Sequence, residues 1–172
     1  MSAHKLEITT LLYCFDSQGR VLLINRRRPP NRGLWSPPGG KLKSEIGESP
    51  YMCACREAKE EIGLHIRPEN LHLVGIVSET NYLGLGHWLM FLFEVKGIVE
   101  NVPRECNEGE LRFFESQQIY TLPIPDTDRE FIWPLFWEHR GGFFAVHCSC
   151  TDDGKYHWHV LESLPSKLEF GK

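Results

Sequence analysis

Cysteine is scarce and irregularly placed in this sequence: Cys14, Cys53, Cys55, Cys106, Cys148 and Cys150 are all there are in 172 residues. That usage excludes a disulfide framework and leaves small buried thiols as the expectation. Long apolar runs are missing, and none approaches the ~18 residues of a membrane span. An excess of basic residues is missing too. The formal net charge of −4 points away from nucleic acid polymers and anionic membranes as partners. Met1 to Thr10 lacks the basic-then-apolar pattern of a signal peptide, so the expected location is cytoplasmic. There are no internal repeats and no low-complexity tracts. What is left, 41% hydrophobic and 24% charged residues, is enough to bury a core in one domain spanning residues 1–172.

Ile8 to Cys14 and Val21 to Asn25 are apolar runs of strand-favouring residues, with Asp16-Ser17-Gln18-Gly19 as a hairpin turn between them. Arg26 to Gly33 is a basic loop, and Trp35-Ser36-Pro37-Pro38-Gly39-Gly40 cannot be helical. A helix is predicted from about Pro50 to Ile62, with Ser49 as N-cap, Pro50 at the first position and Gly63 at the end. Its apolar stripe reads Tyr51, Cys55, Ala58 and Ile62. Strands are expected near Leu71 to Ser78, His87 to Val95 and Glu110 to Phe114. A second helix is expected over Asp128 to His139, with Ile132, Leu135 and Phe136 inward. Phe143 to Cys150 and Tyr156 to Glu162 read as a closing hairpin about Asp152-Asp153-Gly154. Strands mixed with helices in this way indicate an α/β sandwich around a mixed sheet.

The chemistry concentrates in Arg56-Glu57-Ala58-Lys59-Glu60-Glu61-Ile62-Gly63-Leu64. At helical spacing Glu57, Glu60 and Glu61 share an arc opposite the apolar stripe. Three carboxylates so placed repel one another, and a hard divalent cation that prefers oxygen ligands reverses the repulsion. Such a cation can bridge substrate phosphates or activate a water. Arg56 can pair with Glu60 one turn on, or orient Glu57. A glutamate-rich helix face by itself is usually just solvated. Here a Pro-Gly-Gly loop and Glu48 stand directly before it.

Gly40, Glu48 and Arg56 to Leu64 together resemble the signature of the Nudix superfamily, and the order of flanking elements resembles its α/β/α sandwich around a mixed β-sheet. The resemblance implies a hydrolase that cuts a pyrophosphate bond of a small-molecule nucleotide with Mg²⁺ (or Mn²⁺). It implies Glu57, Glu60 and Glu61 as metal ligands, joined by the Gly39 carbonyl, with Glu57 and Glu60 nearest to a general-base role and Arg56 holding Glu57 in place. It leaves a homodimer open. In one respect the chain departs from the pattern: seven residues, Lys41 to Gly47, separate Gly40 from Glu48 where the pattern has five. Family members often add a glutamate from a later loop as ligand or base. Here Arg104 to Glu110 occupies that place, with Glu108 the first candidate and Glu105 the second.

The region around the second predicted helix resembles the MutT-type members, which hydrolyse oxidised purine nucleoside triphosphates such as 8-oxo-dGTP to monophosphate and pyrophosphate. In the animal proteins of that group an acidic pair before a Trp/Phe-Pro segment reads the base. Asp126 and Asp128 precede Phe131-Ile132-Trp133-Pro134 here, and either could instead cap the helix. Ser36 stands where those enzymes commonly carry a base-contacting Asn. Arg26 and Lys41 are the phosphate candidates among the basic residues near the signature. ADP-ribose, nucleotide sugars and dihydroneopterin triphosphate are the other substrates implied, and a catalytically idle nucleotide-binding domain is the rival outside the enzymes.

The closing hairpin raises one further question. If Asp153-Gly154 makes a two-residue turn, Cys150 faces His157 and Cys148 faces His159, a donor set suited to zinc. The same face continues with Phe144, Val146 and Leu161, so a half-buried core face is the expectation.

Overall fold

The computed structural model describes residues 5–84, 86–151 and 153–165. In chain order its strands and α-helices are β1 (Leu6–Phe15), β2 (Val21–Arg26), β3 (Trp35–Ser36), α1 (Pro50–Ile62), β4 (Leu71–Thr80), β5 (His87–Ile98), β6 (Glu105–Cys106), β7 (Gly109–Phe114), α2 (Trp133–Glu138), β8 (Phe143–Cys150) and β9 (Tyr156–Leu164). The strands join one sheet in the order β6-β7-β2-β1-β5-β4-β8-β9, with β3 paired to β2 off that path. β1 runs parallel to β5 and β4 parallel to β8, and the remaining pairs are antiparallel.

Side chains alternate across a strand, and that alternation divides the core. Leu12, Cys14, Leu22 and Ile24 point to the face covered by Ala54, Ala58 and Ile62 of α1. Tyr13, Phe15, Val21 and Leu23 point to the other, packed against Phe131, Ile132, Trp133, Leu135 and Phe136. Helices on both faces of a mixed sheet make the expected α/β/α sandwich. The six cysteines are free thiols, with Cys14, Cys53, Cys148 and Cys150 buried and Cys55 and Cys106 partly so.

The ends of α1 are as the sequence predicts. The Ser49 hydroxyl accepts from the Met52 N–H at 3.2 Å, and Gly63 at φ +70° donates to the carbonyls of Ala58 and Lys59. The buried stripe is rotated from the expected one. Tyr51 is 36% exposed, whereas Cys53, Ala54, Glu57 and Glu61 are buried along with Ala58 and Ile62. The cause is the loop before the helix, which packs over the glutamates and takes them out of solvent. The two extra residues of that loop are absorbed by a short 3₁₀ turn, Ser44–Ile46, closed by Gly47 at φ +67°.

The second helix begins differently from the expectation. Asp128–Ile132 form a wide π-type turn, with the Trp133 N–H reaching back to the Asp128 carbonyl, and regular α-helix covers only Trp133–Glu138. Pro134 has no N–H for the carbonyl of Glu130, and its ring needs room there, so the preceding turn opens.

The final hairpin is also out of the expected register. Cys150 pairs with Tyr156, Cys148 with Trp158 and His147 with His159. Thr151 and Lys155 close the turn by a backbone bond of 2.9 Å, and Asp152 lies outside the described residues. A longer turn shifts the partner strand, and the cysteines then alternate with the histidines. Cys148 and Cys150 join Phe144 and Val146 in the core, so no four-ligand Cys/His face is built.

Candidate functional site

Arg56 organises the first turns of α1. Its guanidinium donates to both carboxylate oxygens of Glu48, at 2.8 and 2.9 Å, to Glu57, to Glu60 at 3.2 Å and to the Lys41 carbonyl at 3.1 Å. Glu48 also accepts from the Lys43 N–H at 2.9 Å. These bonds, the Arg56 pair foremost, hold its carboxyl down at about 2. The longer loop therefore still delivers Glu48 to Arg56.

One turn on, Glu61 is tied to the glycine loop. It accepts from the Gly39 N–H at 2.6 Å and from Arg26 at 2.8 Å. Arg26, at the end of β2, further donates to Ser36 Oγ and to the carbonyls of Pro37 and Gly39, each at 3.1 Å. Its guanidinium is spent on protein groups. Arg26 and Ser36 nonetheless both line the cavity that the α1 glutamates line. Burial raises the carboxyl pKa of both Glu57 and Glu61 against the pull of Arg56 and Arg26.

The glycines are required by close approach. At Gly39, with φ +144°, a Cβ would strike the Thr10 carbonyl, and at Gly40 it would strike the Glu57 carboxylate. Glu57, Glu60, Glu61, Gly39 and Gly40 line a cavity of about 450 Å³. Lys41 stands at the same cavity, 3.3 Å from Glu7 and 5.3 Å above the Trp88 ring.

From the turn between β6 and β7, Glu108 joins the lining, with Arg28 at 3.4 Å. Glu105 is outside the lining and exposed, paired with Arg27 at 2.6 Å. The structure thus brings the first acidic-loop candidate to the glutamate face and leaves the second on the surface.

The same cavity is also lined by Asp128 with Glu79, Tyr82, Trp88, Met90 and Thr127. Asp126 is exposed and outside the lining. The N-cap position of the π-type turn is Thr127, whose side chain makes no capping bond. Glu79 was missed in the sequence. The signal was there in alternation, because Glu79 shares the inward face of β4 with the buried Val77. Burial pushes Glu79 up to about 7, and burial with the Glu79 charge nearby pushes Asp128 up to about 8.

The donor set at the α1 end is all oxygen, glutamate carboxylates and a glycine carbonyl, which fits a hard divalent cation. Gly40 keeps the Glu57 carboxylate open to the cavity, as such a ligand requires. Glu57 and Glu60 are here drawn to Arg56, and Glu61 to Arg26 and Gly39. Accordingly no three acidic, His or Cys side chains converge on one point among the described residues.

Comparison with known proteins decides the family. Residues 5–133 match the NUDIX domain. The chain belongs to the Nudix family. The Nudix hydrolase YvcI of Bacillus subtilis is 32% identical over 115 residues, 66% of this chain and 69% of that one. The ADP-ribose pyrophosphatase of Methanocaldococcus jannaschii is 30% identical over 127 residues, 74% of this chain and 71% of that one. Among solved structures, the MutT protein of Bacillus halodurans superposes with a TM-score of 0.71 at 24% identity, covering 90% of this chain and 97% of that one. This Nudix protein is accordingly an enzyme, a pyrophosphohydrolase. Among the described residues no helix is long and apolar enough to cross a membrane.

Proposed function

We propose that this Nudix hydrolase cleaves a nucleoside triphosphate, with an oxidised purine nucleotide such as 8-oxo-dGTP as the preferred substrate, to a nucleoside monophosphate and pyrophosphate. One observation carries the reading. A cavity of about 450 Å³ is lined both by the glutamates of α1 and by Glu79, Asp128 and Trp88, so one site offers groups for phosphates and groups for a base. An aromatic ring offers a stacking face, and a carboxyl group can pair with the donor edge of a purine.

Glu57, Glu60 and Glu61, with the Gly39 carbonyl, would hold Mg²⁺ or Mn²⁺. When bound, the ion would offset phosphate charge and polarise the phosphorus under attack. Arg56 fixes the Glu57 carboxylate in place. Glu108, in the cavity lining, would take the proton of the attacking water. Arg26, Arg28 and Lys41, all in the cavity lining, would balance phosphate charge.

ADP-ribose is the second reading, favoured by the Methanocaldococcus jannaschii relative, which is named for that substrate. The test is Mg²⁺-dependent turnover of 8-oxo-dGTP, dGTP, the other dNTPs, ADP-ribose and dihydroneopterin triphosphate, with products separated by chromatography. Preference for 8-oxo-dGTP with release of pyrophosphate is the expected result. Preference for ADP-ribose would keep the α1 chemistry and retire the oxidised purine. Unchanged turnover in Glu60→Gln would overturn the assignment to this helix.

A further inference from the structure

β2 ends at Arg26, which pairs with Gly109 of β7. The next residue, Arg27, follows directly where the chain passes the turn that joins β6 to β7. Cys106 pairs with Gly109, so that turn has only two residues, Asn107 and Glu108. Cys106, Asn107 and Glu108 line the cavity, and so do Arg26 and Arg28, but Arg27 does not. Its side chain is about half exposed, on the outside of the site.

Arg27 is nevertheless bonded to the turn at three places. Its backbone N–H donates to the Glu108 carbonyl at 2.9 Å, adding one rung beyond the end of β2. Its guanidinium donates to the Cys106 carbonyl at 3.0 Å and to the Glu105 carboxylate at 2.6 Å. The exposed pair with Glu105 contributes little by itself. The bond to Cys106 is different, because it holds the main chain of the turn. The turn has little else to hold it. Neither Asn107 nor Glu108 has a positive φ, which the two-residue turns matched to strand twist need at one or both positions. Other turns splay the strands they join, and β6 is only two residues long. On the β7 side the approach to β2 is so close that a Cβ at Gly109 would strike the Asn25 carbonyl. Arg26, meanwhile, is fastened to Glu61 and to the Gly39 carbonyl. Two consecutive arginines thus tie both acidic parts of the site to one strand end.

We infer that Arg27 is a positioning residue for hydrolysis. It acts through the main chain of the β6–β7 turn and holds Glu108 in register with the α1 glutamates, without touching substrate. The inference rests on the reading of Glu108 as the group that takes the proton of the attacking water, and names the residue on which that group depends. Proton transfer needs the base within hydrogen-bond reach. A turn that drifts by about an ångström therefore slows the chemical step, while substrate held by other groups binds as before.

Two measurements on the full chain test it: steady-state kinetics with Mg²⁺ on the best nucleotide of the panel, and amide hydrogen exchange without metal or nucleotide. Arg27→Ala should lower kcat about tenfold and leave KM within about twofold. Its amides over residues 105–110 should exchange faster than in wild type, and those elsewhere should not. Arg27→Lys, with a point charge in place of the guanidinium fork, should fall between the two, and it serves if thermal melts show the alanine variant unfolded. Glu108→Ala is the reference. In that background Arg27→Ala should change kcat by less than about twofold, because the group it positions is gone. Losses that multiply in the double variant, wild-type exchange at the turn, or faster exchange with wild-type kcat would each overturn the inference. The two readings fail differently. Wild-type turnover in Glu108→Ala would remove the assignment of Glu108 and the inference with it, whereas a loss there beside wild-type kcat in Arg27→Ala would remove the positioning role alone.

Discussion

Arg26 and Glu61, separated by 35 residues in the chain, form an ion pair of 2.8 Å that is almost hidden from solvent. With the bond from the Gly39 N–H to the other oxygen of Glu61, the pair fastens the glycine loop to α1. Removing one partner strands the other. Arg26→Ala is expected to cost about 3 kcal/mol of stability, read from urea denaturation, and to lower turnover as the loop comes away. Wild-type stability in this variant would show that the loop is held by other means.

Gly40 tests the open side of Glu57. In Gly40→Ala the new methyl group competes with the Glu57 carboxylate for space, while the backbone of Gly40 needs no positive φ. The fold should survive and turnover should fall about 100-fold, the usual order for a displaced catalytic group. Gly39→Ala meets the Thr10 backbone instead and should lower the melting temperature as well.

The acidic loop gives a paired comparison. Glu108→Ala should reduce kcat about 100-fold, because Glu108 lines the cavity as the candidate base. Glu105→Ala should leave kcat within about twofold, since it loses only an exposed pair with Arg27. Equal effects of the two would remove Glu108 from its assigned place.

Glu48 sets part of the acid limit of stability. Its carboxyl drops from 4.5 to about 2 on folding, chiefly through Arg56. A depressed pKa contributes stability above the unfolded value and loses it as pH falls through the folded one. Glu48→Gln should therefore cost about 3 kcal/mol at neutral pH, with the deficit shrinking below pH 4.5 and gone near pH 2. Melting curves of the two proteins across that range measure it.

Glu79 and Asp128 work in the opposite sense. With folded pKa values raised to about 7 and about 8, the native state holds protons that the unfolded chain has released. Stability without ligand should fall as pH rises from the ordinary carboxylate range to about 8, then level off. Glu79→Gln should gain about 1–3 kcal/mol relative to wild type at the alkaline end of that range, compared with its effect in mild acid. A pH-independent difference between the two proteins would show that burial does not act on this pair as described.

How far the sequence reached depended on the range of each interaction. Ser49, Pro50 and Gly63 marked both ends of α1 because capping is settled within a few residues. The spacing of Arg56, Glu57, Glu60 and Glu61 placed the site because a helix converts spacing directly into direction. Turn length was a weaker guide. A longer loop than a two-residue turn between β8 and β9 was enough to separate the cysteines, on the expected core face, from the histidines that a two-residue turn would have set beside them.

By itself, then, the sequence determined the elements, the glutamate face of α1 and the family, all of which follow from local spacing. Only the tertiary structure decided that Arg26 is bound to Glu61, that Glu108 rather than Glu105 reaches the cavity, and that Asp128 lines it with Glu79 while Asp126 does not. Each of those outcomes joins residues brought together by strand order and register. Strand order and register are set by how the whole sheet buries its two faces, and no short stretch of chain carries that information.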